Sequence, residues 1–379
     1  MHLLRALAKR SAIRFGLRDL ATQEDADLDL LAANDSGDIL ESLELTEDDR
    51  AVREYDWWIR PERIVITDAT ERRLRWLQSS VSNVHLIGVR WTDDSIVEAC
   101  QSADALIGWC TGPMIAASKR LRWLQLRAAG VEKIIDLPEL VNRELIVTNL
   151  QRTSGPIIAE HAFAMLLCLT RGMYEHFDAQ RKGRWHPSIA QYQSRFILSG
   201  RTILIAGLGG VGAEIARRAH HFGMRVLGIC STSVSTRKCL SKLGNLNRLS
   251  EFAAEADVIV NALPLTESTR TVFDARVFSR AKRGAIFVNV GRGKTTDTSA
   301  LVSALRDRQL NGAALDVVDP EPLGKNHPLW HMRNVIITPH VAGIAVESTV
   351  REWILIRENL RRYVAGDAML SVVNRTRGY

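Results

Sequence analysis

The sequence of 379 residues lacks an apolar run long enough to cross a membrane as a helix. The apolar segment 163–170 is too short for that and predicts a buried helix. Cysteine is also scarce, because only five are present, and they are scattered without the spacing of a metal site. An odd number of scattered cysteines is typical of free thiols in a reducing compartment. We therefore expect a cytoplasmic protein with no bound metal.

No basic patch interleaved with aromatic residues is present in the sequence, and no nucleic-acid-binding motif occurs. The 50 Lys and Arg residues exceed the 43 Asp and Glu residues, which gives a net charge of +7. This excess predicts mainly a mildly basic, solvated surface. An anionic cofactor or substrate is the alternative for some of these residues. We expect neither a nucleic acid nor a membrane as partner.

The first 60 residues carry an unusual distribution of charge. Residues 1–20 place apolar side chains at helical spacing with basic residues between them, and no acidic residue precedes Asp19. This pattern is typical of a mitochondrial transit peptide, which makes mitochondria the alternative to the cytoplasm. It also fits a basic amphipathic helix that docks on the protein or on a partner. Residues 24–49 carry only acidic charges and predict a solvated extension that is partly disordered or loosely helical.

The most informative segment is an apolar strand that leads into Gly207-x-Gly209-x-x-Gly212 and is followed by a predicted helix at 213–222. A strand, this glycine spacing and a helix form the phosphate site of dinucleotide-binding domains. The first glycine permits a tight turn, the second lets the backbone approach the pyrophosphate, and the third lets the helix pack on the strand. The helix N-terminus then offers N–H groups and a partial positive charge. A plain glycine turn is the alternative.

Short strands alternate with helices on both sides of this loop, which predicts an α/β protein with two doubly wound parallel sheets. Residues 1–60 are predicted to be an N-terminal extension. A flavodoxin-like substrate domain is predicted at 61–152 and 341–379, because a last helix follows the final strand. A Rossmann dinucleotide-binding domain is predicted at 153–340. Its six strands are predicted at 203–206, 226–230, 258–262, 285–290, 314–317 and 335–338.

Three residues with ionisable side chains lie near or beyond the ends of predicted strands of the second sheet: Arg292, Glu321 and His340. Doubly wound sheets bind ligands at the carboxyl ends of their strands, so the three side chains are expected to meet. Arg292 suits bidentate binding of a carboxylate. His340 suits general acid–base catalysis on a neighbouring hydroxyl or ketone. Glu321 would hold the imidazole and favour its protonated form.

These motifs make the chain resemble the D-isomer-specific 2-hydroxyacid dehydrogenases from about residue 61 to about residue 373. The matching pieces are Ala129-Gly-Val131, Ala159-Glu-His161, Gly207-Leu-Gly-Gly-Val-Gly212, Leu263-Pro-Leu-Thr266, Asn289-Val-Gly-Arg-Gly293, Leu315-Asp-Val317, Glu321-Pro322 and Asn334-Val-Ile-Ile-Thr-Pro-His340. The resemblance implies an NAD(P)-dependent oxidoreductase that transfers a hydride between the cofactor and a small 2-keto or D-2-hydroxy acid.

The resemblance also implies a role for each matching residue. Arg292, Glu321 and His340 would be catalytic. The substrate carboxylate would bind to Arg292 and to the backbone amides of Gly130 and Val131. The dinucleotide would contact Gly207, Gly209, Gly210, Val211, Gly212, Leu263, Pro264, Val290 and Asp316, the last of these at the nicotinamide carboxamide. Each residue taken alone also fits a structural role, and His161 is interpreted as a core or interface histidine.

The second strand of the predicted nucleotide domain ends without an acidic residue. NAD-specific domains place an acid there for the ribose 2′-hydroxyl, whereas this chain has Cys230 and no acid before Glu251. A 2′-phosphate would not be repelled at such a site. The residues that could bind it are Ser231, Thr232, Arg237 and Lys238. We therefore predict that NADP(H) is preferred and that NAD(H) is possible, with a solvated Arg237 and Lys238 as the alternative.

The substrate domain also departs from the family pattern. Some members place an arginine after the strand at 105–108, where this chain has Trp109 and Cys110. Without this arginine, a phosphorylated substrate would lack a binding partner. The sequence therefore favours an unphosphorylated 2-keto acid such as glyoxylate or hydroxypyruvate. A dinucleotide-sensing corepressor on the same fold is the alternative function. Formate dehydrogenase is disfavoured, because that subgroup pairs its histidine with a glutamine where this chain has Glu321.

Family members are usually dimers, and the apolar helix predicted at 157–171 suits an interface. The resemblance therefore implies a homodimer.

Overall fold

The computed structural model describes residues 36–185, 195–231 and 235–378. The chain divides into two compact units, one formed by residues 36–153 together with 345–378 and the other by residues 154–344. The amphipathic segment predicted at 1–20 and the predicted cofactor residue Thr232 lie outside the described residues.

The first unit begins with a short helix and then builds a parallel sheet. Its elements up to residue 153 are α1 (Ser36–Ser42), β1 (Glu47–Ala51), β2 (Arg63–Thr67), α2 (Glu71–Gln78), β3 (His85–Val89), α3 (Ile96–Ala99), β4 (Ala105–Gly108), α4 (Gly112–Ala117), β5 (Trp123–Leu126), α5 (Pro138–Val141) and β6 (Ile146–Thr148). Five of these strands pair in parallel in the order β3-β2-β4-β5-β6. This is the flavodoxin-like order. Every residue of β4 and β5 is buried, as expected for central strands of a covered parallel sheet.

The second unit is a Rossmann-type sheet with helices between its strands. Its elements are α6 (Gly155–Arg171), α7 (Met173–Arg181), β7 (Thr202–Ala206), α8 (Gly210–His221), β8 (Arg225–Ile229), β9 (Lys242–Gly244), α9 (Leu249–Glu255), β10 (Val258–Asn261), α10 (Ala275–Arg280), β11 (Ala285–Asn289), α11 (Thr298–Arg306), β12 (Leu310–Leu315) and β13 (Val335–Ile337). The strands pair in parallel in the order β9-β8-β7-β10-β11-β12-β13. This is the dinucleotide-binding order 3-2-1-4-5-6 with one more strand at the end. The predicted fold class, with a flavodoxin-like and a Rossmann parallel sheet, is confirmed.

Two strands of the second unit differ from the prediction. β9 was not among the six predicted strands, because three residues are too few for an alternating pattern to be recognised. β12 begins at Leu310, four residues before the predicted start of 314. Asn311 and Gly312 are poor strand formers, which hid this start in the sequence. At Gly312 the neighbouring strand comes close, since a Cβ there would lie 2.8 Å from the carbonyl oxygen of Asn334.

The chain returns to the first unit with α12 (Val346–Ala365) and β14 (Ala368–Leu370). The helix ends at Gly366, which has a φ of 77° and so adopts the left-handed conformation common at helix ends. Asn359 fixes the helix to the sheet, because its Nδ2 donates to Gln125 Oε1 at 2.9 Å and to the carbonyl oxygen of Leu370 at 3.0 Å. None of the helices in the described ranges is both long and apolar enough to cross a membrane.

Residues 36–51 form regular structure in the first unit. β1 pairs with β14 in antiparallel fashion, and α1 precedes it. Leu43 and Val52 are 4% and 0% exposed and belong to the core. Residues 36–42 are helical, and every residue of 36–49 except Leu43 is partly or fully exposed, which agrees with the solvated, loosely helical alternative. The strand β1, which begins at Glu47, was not predicted. Ile39, Leu40 and Leu45 are partly buried and pack against the core that contains Val52, although all charges of this stretch are acidic.

Candidate active site

The glycine loop follows β7 at the carboxyl edge of the second sheet. Gly207 has a φ of 91°, and a Cβ there would lie 2.6 Å from the carbonyl oxygen of Ala262. A Cβ at Gly212 would lie 1.8 Å from the carbonyl oxygen of Gly207, so the close packing of α8 requires glycine. Among the described residues, no atom lies within 4 Å of the Cβ position of Gly209. Because α8 starts at Gly210, the positive end of its dipole lies at this open space. This arrangement fits the pyrophosphate of a dinucleotide.

The residues predicted to select the cofactor lie after the carboxyl end of β8. Cys230 is half-buried, and its N–H donates to the carbonyl oxygen of Gly244 at 2.9 Å. Ser231, Arg237 and Lys238 are exposed to solvent. The end of the strand therefore carries a thiol where an NAD-specific domain would carry a carboxylate.

The other predicted cofactor residues lie at the ends of the neighbouring strands. Leu263 is buried, and its N–H donates to Asn261 Oδ1 at 3.1 Å. Val290 is also buried, and its N–H donates to the carbonyl oxygen of Asn261 at 3.0 Å. Pro264, after β10, and Val211, in the first turn of α8, are half-buried. The loops after β7, β10 and β11 thus share the carboxyl edge of one parallel sheet.

His340 and Glu321 form a hydrogen-bonded pair. His340 Nδ1 lies 3.0 Å from Glu321 Oε2, and the other carboxylate oxygen accepts the N–H of Val318 at 3.1 Å. The His340 side chain is 51% exposed, so its ring can meet a ligand from outside the protein. No group of three His, Cys, Asp or Glu residues in the described ranges is placed to hold a metal. The pair therefore suits proton transfer, with Glu321 orienting the imidazole.

Arg292 lies beyond β11 between two glycines. The residue is half-buried, and its Nη1 donates to the carbonyl oxygen of Gly291 at 2.9 Å. A Cβ at Gly293 would lie only 1.9 Å from the carbonyl oxygen of Val318. Since the N–H of Val318 is bonded to Glu321, the Arg292 turn and the Glu321 loop are directly packed on each other. The structure thus brings the predicted residues after β11, β12 and β13 to one region of the sheet edge.

Asp316, just after β12, fixes the segment that carries His340. Its carboxylate is 4% exposed and accepts from Thr338 Oγ1 at 2.6 Å, from the N–H of Val341 at 2.9 Å and from the N–H of Ala342 at 3.1 Å. Its carbonyl oxygen accepts the N–H of His340 at 2.8 Å. These bonds hold His340 at a φ of 58°, a conformation that costs energy for a residue with a side chain. The resemblance had implied only a cofactor contact for Asp316.

His161, on α6, joins the same network. Its Nε2 lies 3.0 Å from Thr338 Oγ1 and 3.8 Å from Asp316 Oδ1. Sequence reasoning interpreted His161 as a core or interface histidine and missed this contact. Only its place in a motif shared with the family could have singled it out.

Gly130 and Val131 lie in the first unit, after the carboxyl end of β5. Gly130 is half-buried, whereas Val131 is 2% exposed and its carbonyl oxygen accepts the N–H of Ile134 at 2.9 Å. Trp109 follows β4 and is 49% exposed. Cys110 beside it is buried, which raises the pKa of its thiol to about 12. At neutral pH this cysteine is therefore neither charged nor nucleophilic.

Comparison with known proteins agrees with this geometry. Residues 163–342 match the family model described as D-isomer specific 2-hydroxyacid dehydrogenase, NAD binding domain. A glyoxylate reductase of Korarchaeum cryptofilum is 32% identical over 331 residues, which are 83% of this chain and 96% of that protein. The chain belongs to the D-isomer-specific 2-hydroxyacid dehydrogenases. A glyoxylate reductase of Pyrococcus furiosus is 33% identical over 74% of this chain and 85% of its own length.

A solved structure of the same family is also similar to this chain. The D-isomer specific 2-hydroxyacid dehydrogenase of Xanthobacter autotrophicus, in complex with NADPH and MES, has a TM-score of 0.70 and 28% identity. The match covers 84% of this chain and 100% of that one. As a member of this family, the protein is an NAD(P)-dependent oxidoreductase that transfers a hydride between its cofactor and a small 2-keto or 2-hydroxy acid. The corepressor alternative receives no support from these relatives.

Proposed function

We propose that this protein reduces an unphosphorylated 2-keto acid of the glyoxylate or hydroxypyruvate type to the D-2-hydroxy acid. The observation that carries the proposal is the His340–Glu321 pair at 3.0 Å, packed beside the turn of Arg292 at the sheet edge of the dinucleotide domain. The glyoxylate reductases that the chain resembles support the choice of substrate.

Each of the three residues has one task in this reaction. A nicotinamide cofactor, when bound, would supply the hydride for the keto carbon. Arg292 binds the carboxylate of the substrate through its planar guanidinium. His340 donates a proton from Nε2 to the keto oxygen, because its Nδ1 is held by Glu321. Glu321 keeps the imidazole oriented through the hydrogen bond to Nδ1.

Further residues belong to the proposal through the family resemblance. Gly130 and Val131, in the first unit, remain proposed substrate-binding residues. Asp316 remains a proposed contact of the nicotinamide, and its bonds to the Thr338–Ala342 segment give it a second task in fixing His340.

NADP(H) is the preferred dinucleotide in this proposal, and NAD(H) is also accepted. The support is the absence of an acidic side chain from Cys230 to Leu249 and the NADPH bound by the relative from Xanthobacter autotrophicus. Exposed Arg237 and Lys238 lie beyond the end of β8, where their positive charges favour a 2′-phosphate.

The experiment is a panel of 2-keto acids assayed with both reduced cofactors by the absorbance of the reduced nicotinamide. We expect turnover of glyoxylate or hydroxypyruvate, with a lower KM for NADPH than for NADH. Arg292→Lys keeps the charge but loses the bidentate fork, and should raise the KM for the keto acid by about tenfold. Absence of turnover with every 2-keto acid would contradict the proposal.

A cytoplasmic homodimer is the proposed state of the protein. The described cysteines form no disulfide, which fits a reducing compartment. The support for the dimer is a set of large apolar side chains of the second unit that are 38–63% exposed: Met173, Phe177, Ile197 and Phe222. Light scattering should give a mass in solution that is twice that of the chain. The Phe177→Asp variant should have a mass closer to that of the monomer. A wild-type mass equal to that of one chain would contradict the dimer.

A further inference from the structure

Two buried asparagines lie side by side beneath the turn that carries Arg292. Asn261 is the last residue of β10 and Asn289 the last residue of β11, and the two are paired in the register of the parallel sheet. They are 0% and 1% exposed. Asn261 Nδ2 donates to Asn289 Oδ1 at 3.0 Å, although 28 residues separate them in the sequence. Burying two primary amides is unfavourable unless their hydrogen bonds are made, so their partners indicate what they do.

Apart from each other and the N–H of Leu263, which donates to Asn261 Oδ1 at 3.1 Å, the two amides have their partners in the 291–296 segment. Asn261 Nδ2 also donates to Thr295 Oγ1 at 2.6 Å, and that hydroxyl donates to the carbonyl oxygen of Arg292 at 2.6 Å. Asn289 Oδ1 accepts the N–H of Gly291 at 3.1 Å. Asn289 Nδ2 donates to Thr296 Oγ1 at 3.2 Å and to the carbonyl oxygen of Arg292 at 3.5 Å. The N–H of Gly291 is thus bonded to Asn289, and the carbonyl of Arg292 is bonded to Thr295 and Asn289.

Close packing removes the remaining freedom of this turn. A Cβ at Gly291 would lie 2.8 Å from the carbonyl oxygen of Leu263, and one at Gly293 would lie 1.9 Å from the carbonyl oxygen of Val318. Asn289 also links the turn to the histidine, because its carbonyl oxygen accepts the N–H of Asp316 at 3.0 Å. Asp316 in turn holds the N–H of His340. One buried polar network therefore reaches the backbone of both Arg292 and His340.

We propose that the Asn261–Asn289–Thr295 cluster positions Arg292 for binding of the substrate carboxylate. The cluster fixes the carbonyl of Arg292 and with it the direction in which the side chain leaves the backbone. A bidentate contact tolerates little misorientation, so a small rotation of this peptide weakens carboxylate binding. The three residues act through Arg292 and are positioning residues. The inference rests on the proposed role of Arg292.

Thr295→Val tests the proposal, because valine keeps the shape of threonine and removes its hydroxyl. The probe is oxamate, which carries a carboxylate beside a carbonyl and is not reduced. We expect the Kd of oxamate for the enzyme–NADPH complex and the KM of the keto acid to rise by about tenfold, while the affinity for NADPH changes far less. Thr295→Ser keeps the hydroxyl and should restore the oxamate affinity. Thr296→Val, which removes the acceptor of Asn289 Nδ2, is the second variant should Thr295→Val fail to fold.

Val258→Ala is the matched control, since Val258 is a buried residue at the opposite end of β10. It should lower the Tm without changing the Kd of oxamate. Unchanged oxamate affinity and KM in the folded threonine variants of an active enzyme would overturn the positioning role alone. A wild-type enzyme that neither binds oxamate nor reduces any 2-keto acid would overturn the proposed function, and the positioning role with it.

Discussion

His340 Nδ1 lies 3.0 Å from Glu321 Oε2, and 19 residues separate the two in the sequence. The pair is assembled by the parallel sheet, because Glu321 follows β12, His340 follows β13, and the two strands are hydrogen-bonded neighbours. Asp316 holds the backbone of His340 by the carbonyl that accepts its N–H. The imidazole is therefore oriented from two sides, by the Glu321 carboxylate on its ring and by Asp316 on its main chain.

Replacing His340 removes the proposed proton donor. For His340→Ala we expect kcat for the keto acid to fall on the order of a hundredfold or more, the usual share of a positioned acid–base group. Glu321→Gln keeps a hydrogen-bonding group at the same place and should lower kcat less than His340→Ala does. Steady-state kinetics with saturating NADPH measures both. A loss below about tenfold in His340→Ala would remove this residue from the proposed role.

Cys230→Asp should reverse the cofactor preference. The new carboxylate would stand at the end of β8, where it repels a 2′-phosphate and accepts a hydrogen bond from a 2′-hydroxyl. We expect the KM for NADPH to rise by about tenfold or more and the KM for NADH to fall. Cys230→Ser is the control and should leave the ratio of the two KM values near that of the wild type. A wild-type enzyme that favours NADH severalfold would show that the inference from Cys230 is wrong.

Glu214 should make the stability of the second unit depend on pH. It lies on α8 with Arg217 at 2.5 Å and with Arg218 as a second ion-pair partner. Burial raises the pKa of its carboxyl, but the hydrogen bonds from Arg217 and Arg218 outweigh burial, and the net shift is downward. A carboxyl with a lowered pKa in the folded state adds stability above the pKa of the unfolded chain. That stability is lost as the pH falls through the pKa of the folded state.

Glu214→Gln removes this contribution. We expect it to lower the free energy of unfolding at neutral pH by about 1 kcal/mol, or the Tm by about 2–4 °C. The difference from the wild type should shrink in acid. The control is Glu267→Gln, which disrupts the Glu267–Arg270 pair, whose glutamate side chain is 93% exposed. Thermal melts of the three proteins across the acidic pH range test this prediction. A difference in Tm between wild type and Glu214→Gln that does not change with pH would contradict it.

The thiols of Cys100 and Cys110 should resist alkylation in the native protein. Burial raises the pKa of Cys100 to about 11 and that of Cys110 to about 12, and the two are 1% and 8% exposed. The thiolate is the reactive form, so neither should react with iodoacetamide near neutral pH. Mass spectrometry should find native label only on the other three cysteines, and label on all five after denaturation. Modification of Cys100 or Cys110 before unfolding would contradict this.

The amino-acid sequence by itself determined the elements that depend on local chemistry. The glycine loop was recognisable because turn, phosphate approach and helix packing each require a missing side chain within six residues. The strands that precede Arg292, Glu321 and His340 were recognisable from apolar runs, and parallel sheets bind ligands at the carboxyl ends of their strands. The sequence missed β1, because its Glu-Asp-Asp-Arg-Ala segment has no apolar pattern, and the acidic charges hid the burial of Leu43 and Val52.

Only the tertiary structure decided which distant side chains meet. Asn261 and Asn289 bond because β10 and β11 are neighbours in one particular register, and a shift of one residue would turn one of them to the other face of the sheet. His161 reaches Thr338 because α6 packs on β12, and β13 is the hydrogen-bonded neighbour of β12. Local patterns in the sequence specify where strands and helices form, whereas these contacts depend on strand order and register, which arise from the packing of the whole unit.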